Sequence, residues 1–319
     1  MNLPPEFVRN IEGVFGKAGS QFLADLPALI DADSQKWGLT DVQPSPELSY
    51  NFVAFAACGE EQVVLKMSVP NRESRSETAA LRLFNGDGAC RLIEYDKKKC
   101  WMLLERLKPG VMLSTLKDDE AATHIAADVM QKIRRSPALA AGASVDYGTT
   151  DTSIRSAQAN FIKLSDWFDG LKKLRPRFNG GTGPFNAKLL ARVEGSVKDF
   201  FLENHQPVLM HGDFHHYNIL LSERGWLIID PKGVIGPACY EVGPLLINPW
   251  GDLLSGKNYR QMTKRRIDIL HERLGFERER IREWGLAHAI LSAWWSLEDH
   301  TGEEYALAFA EMIADLDIK

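Results

Sequence analysis

Apolar and polar positions along the chain follow two rhythms, and the change between them falls about a third of the way in. Residues 48–56 (LSYNFVAFA) and 62–69 (QVVLKMSV) are rich in β-branched and aromatic residues. With CGEE between them as turn material, they predict a hairpin. In SRSETAALRLFNGDG, Ala80, Leu81, Leu83 and Phe84 share one helical face, serines precede it and Asn85-Gly86 closes it, which predicts a short helix. ACRLIEYD and CWMLLERL read as further strands, the second an apolar run ending at Glu105 ahead of Pro109-Gly110. Before residue 48 the chain reads as a polar opening marked by Pro44 and Pro46. The small lobe is expected to end near Leu107.

Beyond that point residues 117–136 and 158–175 repeat apolar positions every three or four residues, the latter with Phe161, Leu164, Phe168 and Leu171 on one stripe. The run GWLIIDPKG interrupts with a tight turn at Gly225 and a short β-rich stretch. FNGGTGP at 178–184 reads as a flexible loop, and helical patterning resumes from about Gln261. An α+β chain of two unequal lobes is expected: residues 1–107 with a small antiparallel sheet, and residues 108–319, larger and mainly helical.

A hydrophobic content of 45% with 25% charged residues is that of an ordinary globular protein, against disorder or a fibre. The net charge of −5 argues against a nucleic-acid or anionic-membrane surface and leaves room for a cationic small molecule. Cys58, Cys90, Cys100 and Cys239 show no C-x-x-C spacing, so reduced thiols are expected rather than a zinc ribbon or a disulfide framework. MNLPPEFVRN lacks the basic-then-apolar order of a signal peptide, and no run of about 18 apolar residues occurs. A cytoplasmic, unanchored protein is expected.

The chemistry concentrates in HGDFHHYNIL, residues 211–220. His211, Asp213, His215 and His216 are all candidate zinc ligands, yet no second histidine-rich segment stands elsewhere to complete a tetrahedral set. Phosphoryl transfer uses other atoms: a carboxylate to accept the attacking hydroxyl's proton, and five residues on an oxygen ligand for Mg²⁺. Asp213 and Asn218 have that spacing. A second carboxylate, Asp230, ends LIID and precedes the turn residues PKG, in the manner of D-F-G. Lys66 in VVLKMS and Glu77 in SETAALRLF supply the strand lysine and helix glutamate that grip nucleotide phosphates.

HGDFHHYN followed by IDPKG resembles the aminoglycoside phosphotransferase superfamily, and within it the streptomycin 6-phosphotransferase and hydroxyurea phosphotransferase branch. LSYNFV, VLKMS, ETAALRLFNGDGACRLIE, LLERLKPG and LSAWWSLED extend the resemblance over residues 48–300. It implies a protein-kinase-like bilobal fold with ATP and Mg²⁺ between the lobes, and a small-molecule acceptor carrying a hydroxyl group. The chain departs from regulated kinases in lacking G-x-G-x-x-G and in placing Pro231 and Lys232 after Asp230. Ser49 and Asn51 would offer polar contacts to the phosphates in place of glycine amides, and a constitutively assembled site is expected.

On this reading Asp213 is the base and Asn218 and Asp230 hold Mg²⁺. His211 braces the loop through the backbone, His215 approaches the transferred phosphoryl group, and His216 has no special role. Glu105 and Leu107 meet the adenine through their backbone, and Lys232 either neutralises phosphate or is a solvated turn lysine. Glu241, Trp295, Glu298 and Asp299, with Tyr240 and Trp294 nearby, are candidates for a cationic acceptor, since acids beside aromatics suit guanidinium and amino groups. Trp284, Leu291 and Trp295 also recur at helical spacing, so a core role for the tryptophans competes. The expected activity is ATP-dependent transfer to the hydroxyl of an aminoglycoside such as streptomycin, with hydroxyurea or another metabolite as the alternative acceptor. A nucleotide-binding pseudokinase and a zinc-dependent hydrolase are the rivals.

Overall fold

The computed structural model describes residues 3–134, 161–203, 206–251 and 258–318. The chain opens with α1 (Pro5–Trp37), which breaks at Gly16, where φ is 53°, and ends at Gly38 in the left-handed region. Phe7, Ile11, Phe22, Leu26 and Ile30 recur at four-residue steps on the two sides of the break and bury themselves against the sheet. Pro5 falls in the first turn, where the missing N–H costs no hydrogen bond. The opening expected to be polar and irregular is therefore a helix, followed by an edge strand, β1 (Leu39–Pro44).

β2 (Phe52–Cys58) and β3 (Glu61–Met67) form the expected hairpin, and Gly59 turns it with φ of 61°. With β4 (Leu92–Asp96) and β5 (Trp101–Glu105) they complete an antiparallel sheet of order β1-β2-β3-β5-β4. Residues 48–51, expected to be strand, instead finish the loop 45–51 from β1 to β2. Phe52 pairs with Met67 and Val53 with Lys66, so this loop lies at the Lys66 end of the hairpin and the CGEE turn at the other. Between β3 and β4 runs α2 (Arg72–Phe84), capped by reciprocal Asn71 and Ser74 hydrogen bonds and closed by Asn85 in the left-handed region. Ala80, Leu81 and Phe84 of α2 and Met102 and Leu104 of β5 pack into the core of the helical lobe, while the opposite face of the sheet packs against α1.

Across the Leu107 connector, β6 (Pro109–Met112) joins β9 (Ile219–Ser222) and β10 (Gly225–Ile228) in order β10-β9-β6. α3 (Asp119–Ile133) follows as expected, except that residues 135–136 of the predicted stretch lie outside the described residues. The continuous helix expected over 158–175 is not found. Residues 158–160 lie outside the described part, and β7 (Ile162–Lys163) pairs in parallel with β11 (Val234–Gly236), itself antiparallel to β8 (Val208–Met210). Next come α4 (Leu164–Asp169), a 3₁₀ segment at Gly170–Lys173 and one helical turn at Leu174–Arg177. The apolar stripe gave the burial of Phe161, Leu164, Phe168 and Leu171 correctly, but pairing with Val234 and Ile235 captured the start of the segment.

The rest is helical, with α5 (Ala187–Leu202), α6 (Val242–Ile247), α7 (Tyr259–Leu274), α8 (Arg278–Asp299) and α9 (Glu304–Ala314). α8 runs through the lobe, with Trp284, Leu291 and Trp294 buried. No helix among the described residues is long and apolar enough to cross a membrane.

Candidate active site

Three backbone segments converge on the site: the loop after β8, the turn after β10, and the facing edges of β3 and α2. The loop 211–218 is held from behind. Glu241, 3% exposed, accepts the His211 N–H at 2.6 Å and the Gly212 N–H at 2.8 Å, one on each carboxylate oxygen. Burial pushes its carboxyl up to about 7, against the pull of those two amides. The expectation that Glu241 meets the acceptor is thereby corrected, because both oxygens face the loop backbone. His211 is framework as expected. Its Nε2 meets the Ile229 carbonyl at 2.9 Å and its Nδ1 accepts the Asp213 N–H at 3.2 Å. Burial lowers its pKa to about 4, so the ring is neutral at physiological pH. With both nitrogens committed, it has no lone pair to offer zinc.

Asp213 presents a carboxylate 38% exposed, with Oδ1 3.4 Å from His215 Nε2. Burial works to raise its pKa, but the hydrogen-bonding His215 beside it and the Lys232 ammonium prevail and hold it well below the usual carboxylate range. Asn218 Nδ2 donates to the Asp213 carbonyl at 3.0 Å and lies 3.3 Å from His215 Nε2. The amide nitrogen thus serves the loop, and Oδ1 remains to meet a ligand. His216 is buried and, among the described residues, has no hydrogen-bond partner on either ring nitrogen, so it takes no part in the surface of the site.

The turn after β10 is fixed by backbone. Asp230 has φ of 54° and Gly233 φ of 67°, Pro231 lies between them, and the Lys232 N–H bonds the His211 carbonyl at 2.7 Å. Lys66 Nζ stands 2.6 Å from Glu77 Oε1 and 2.5 Å from Asp230 Oδ1, while Lys232 Nζ stands 3.1 Å from Asp230 Oδ2. Burial alone would depress the Lys66 ammonium, but Asp230 and Glu77 more than offset it. Burial likewise works against the Asp230 carboxylate, and Lys232 and Lys66 keep it ionised far below the ordinary range. The Asp230 carboxylate and the Asn218 side-chain amide oxygen are hard donors of the kind a magnesium ion takes.

Other expected residues are more dispersed. Ser49 and Asn51 sit on the β1–β2 loop at the Lys66 end of the sheet, and the Ser49 carbonyl accepts from Asn10 at 3.3 Å. Glu105 ends β5, and its carboxylate turns away to grip Arg224. Leu107 is buried in the connector. Trp295 is half-buried and meets Trp167 edge-on at 5.3 Å. Trp294 is core, and Tyr240, fully buried, bonds His288 Nδ1 at 3.0 Å. Glu298 lies 3.9 Å from Lys173, and Asp299 accepts the Tyr50 hydroxyl at 3.3 Å.

Trp167 is the residue sequence reasoning missed. It lies against Gly212, where a Cβ would come within 3.0 Å of the indole and 2.5 Å of Val234, so the glycine lets the aromatic wall approach the loop carrying Asp213.

The family model described as aminoglycoside/hydroxyurea antibiotic resistance kinase matches residues 37–141 and 155–300. The chain belongs to that family. This kinase is 28% identical to streptomycin 6-kinase of Streptomyces glaucescens over 310 residues, covering 94% of the chain and 92% of the relative. It is also 28% identical to hydroxyurea phosphotransferase of Kitasatospora aureofaciens over 321 residues, covering 98% and 86%. Its fold is that of a thermostable mutant of aminoglycoside phosphotransferase APH(4)-Ia in ternary complex with ADP and hygromycin B. The TM-score is 0.56 at 12% identity, covering 89% of this chain and 98% of that one. The bilobal, protein-kinase-like architecture expected from the sequence is thus the one found, and the enzyme is a phosphotransferase acting on a small-molecule hydroxyl.

Proposed function

We propose that this kinase transfers the γ-phosphoryl group of ATP to a hydroxyl of a cationic aminoglycoside of the streptomycin type, in the cytoplasm. The observation that carries the reading is Lys66, shared between Glu77 and Asp230 with both distances at hydrogen-bond length, in a family whose relatives include streptomycin 6-kinases. Residues 1–107 act as the nucleotide lobe and residues 108–319 as the catalytic and acceptor lobe. Lys66, held by Glu77, grips the nucleotide phosphates. Ser49 and Asn51 line the phosphates from the β1–β2 loop, and the Glu105–Leu107 connector receives the adenine through its backbone.

Asp213 orients the acceptor hydroxyl and takes its proton as the oxygen attacks. Its depressed pKa keeps it an acceptor throughout the working range. His215 fixes the carboxylate's rotamer from one side. Asn218 and Asp230 would hold Mg²⁺, which supplies charge neutralisation of the phosphates when bound. Glu241 takes no acceptor contact and keeps the His211–Gly212 backbone in register. Trp167 and Trp295 form the aromatic wall for the acceptor, and Glu298 and Asp299 at the end of α8 attract its cationic groups.

A screen with labelled ATP tests the reading directly, with streptomycin, other aminoglycosides, hydroxyurea and neutral sugars as acceptors. Mg²⁺-dependent labelling of streptomycin is expected. Labelling of hydroxyurea alone would move the acceptor to the other branch of the family. Nucleotide binding without transfer to any acceptor would leave a pseudokinase.

A further inference from the structure

Asp230 is clasped by two ammonium groups, one per oxygen, and the two differ in what else holds them. Lys66 has a second carboxylate, Glu77, at 2.6 Å, and its side chain is 7% exposed. Lys232 has Asp230 as its ion-pair partner among the described residues, and its side chain is 26% exposed. An oxygen of Asp230 that turns to another cation therefore leaves Lys66 anchored on Glu77 and sets Lys232 free.

Where Lys232 then reaches is fixed by its backbone. Pro231 and the positive-φ residues Asp230 and Gly233 pin the turn, and the Lys232 N–H bonds the carbonyl of His211, two residues before Asp213. The Cα of Lys232 is thus tied to the same loop that carries the proposed base. A lysine on a solvated turn would extend away from the protein. This one points inward, and its charge acts on Asp213 as well as on Asp230. The space between those two carboxylates is where a phosphoryl group passing from nucleotide to acceptor has to lie.

We infer that Lys232 is a further catalytic residue, whose ammonium leaves Asp230 and donates hydrogen bonds to the peripheral oxygens of the γ-phosphoryl group during transfer. This rests on the proposed phosphotransfer reading. In the step, the bond from the γ-phosphorus to the β,γ-bridging oxygen breaks and the bond to the acceptor oxygen forms. The hydroxyl proton goes to Asp213, and Lys232 keeps its own protons. A donor aimed at charge that is redistributed in the transition state is worth about 10²- to 10³-fold in kcat. The same donor adds little to ground-state affinity.

The test compares wild type with Lys232→Ala and Lys232→Arg by calorimetry, using Mg²⁺ with AMP-PNP as a ground-state probe and Mg²⁺ with ADP and aluminium fluoride as a mimic of the transferring group. Lys232→Ala is expected to bind AMP-PNP within about threefold of wild type and to lose about 100-fold in affinity for the fluoride complex. Lys232→Arg is expected to recover part of that loss. Equal loss on both probes would make Lys232 a ground-state counter-charge for Asp230 and overturn the inference, as would no loss on either. If wild type itself binds neither probe, the phosphotransfer reading fails rather than the assignment of Lys232. A thermal melt of each variant separates unfolding from loss of binding, and if Lys232→Ala is unfolded the same comparison is made with Lys232→Met.

Discussion

The Ser76 hydroxyl donates to the carbonyl oxygen of Gly233 at 2.6 Å, so the helix that carries Glu77 is fastened to the turn that carries Asp230. Ser76 is fully buried, and it also accepts the Ile162 N–H at 3.3 Å. A Cβ on Gly233 would lie 2.6 Å from the Ser76 carbonyl oxygen, in a backbone conformation at φ +67° that L side chains avoid. Gly233→Ala should therefore destabilise the fold by about 2 kcal/mol or more through clash and strain. Ser76→Ala removes both of these bonds while the Ile162 N–H keeps its bond to the Gly233 carbonyl at 3.2 Å, and should cost about 0.5–1.5 kcal/mol. Urea denaturation of both variants checks the order, with Gly233→Ala also expected to weaken nucleotide binding.

Asp213→Ala should lower kcat by about 10²- to 10⁴-fold, the range for loss of a positioned base. The affinity for a non-hydrolysable ATP analogue should stay near wild type, because the Lys66–Glu77–Asp230 cluster proposed to meet the phosphates is untouched. Turnover at the wild-type rate would remove Asp213 from the reaction.

His288 gives a pH signature in stability. Burial lowers its pKa from 6.5 to about 4, so below pH 6.5 the unfolded chain binds a proton that the folded protein refuses. Its contribution is intact above pH 6.5 and lost as pH falls towards 4, amounting to about 2 kcal/mol between pH 7.5 and pH 5. Glu241, held protonated up to about 7, has the opposite sign, since it costs stability as pH rises from 4.5 to 7. The two effects overlap in wild type and have to be read by difference. Relative to wild type, His288→Gln should gain about 2 kcal/mol between pH 7.5 and 5 in chemical denaturation.

Trp167→Ala should raise acceptor KM about tenfold while leaving the KM for ATP unchanged. Removing an aromatic wall costs contact area in ground and transition states alike. Steady-state kinetics with streptomycin as acceptor would show this, and an unchanged acceptor KM would take Trp167 out of the acceptor surface.

The grouping of the candidate site residues was readable because much of its spacing is local. Asp213 and Asn218 lie in one loop, Asp230 stands two residues past the end of β10, and strand and helix signatures around Lys66 and Glu77 were strong. The N-terminal helix was equally periodic at Phe7, Ile11, Phe22, Leu26 and Ile30, but Gly16, Pro5 and Pro27 split the pattern and hid it. Glu241 was misread because an acidic residue after the IDPKG segment looks the same in sequence whether it faces solvent or two backbone amides. Trp167 and Ser76 act through contacts with residues 45 and 157 positions away, at Gly212 and Gly233, and local patterning carries no trace of such pairings.

Arg224, at the β9–β10 turn, binds both oxygens of Glu105 and the carbonyls of Gly86 and Ala89, and the second Glu105 oxygen also takes the Arg91 N–H at 2.9 Å. One guanidinium from the helical lobe thereby clamps the last sheet strand, the loop after α2 and the start of the connector together. Beside it the Cys90 N–H bonds the Ile228 carbonyl and the Ile228 N–H bonds the Gly88 carbonyl, both at 2.9 Å and both from one lobe to the other, so the exchange of these two amide hydrogens with deuterium becomes a clock for lobe separation.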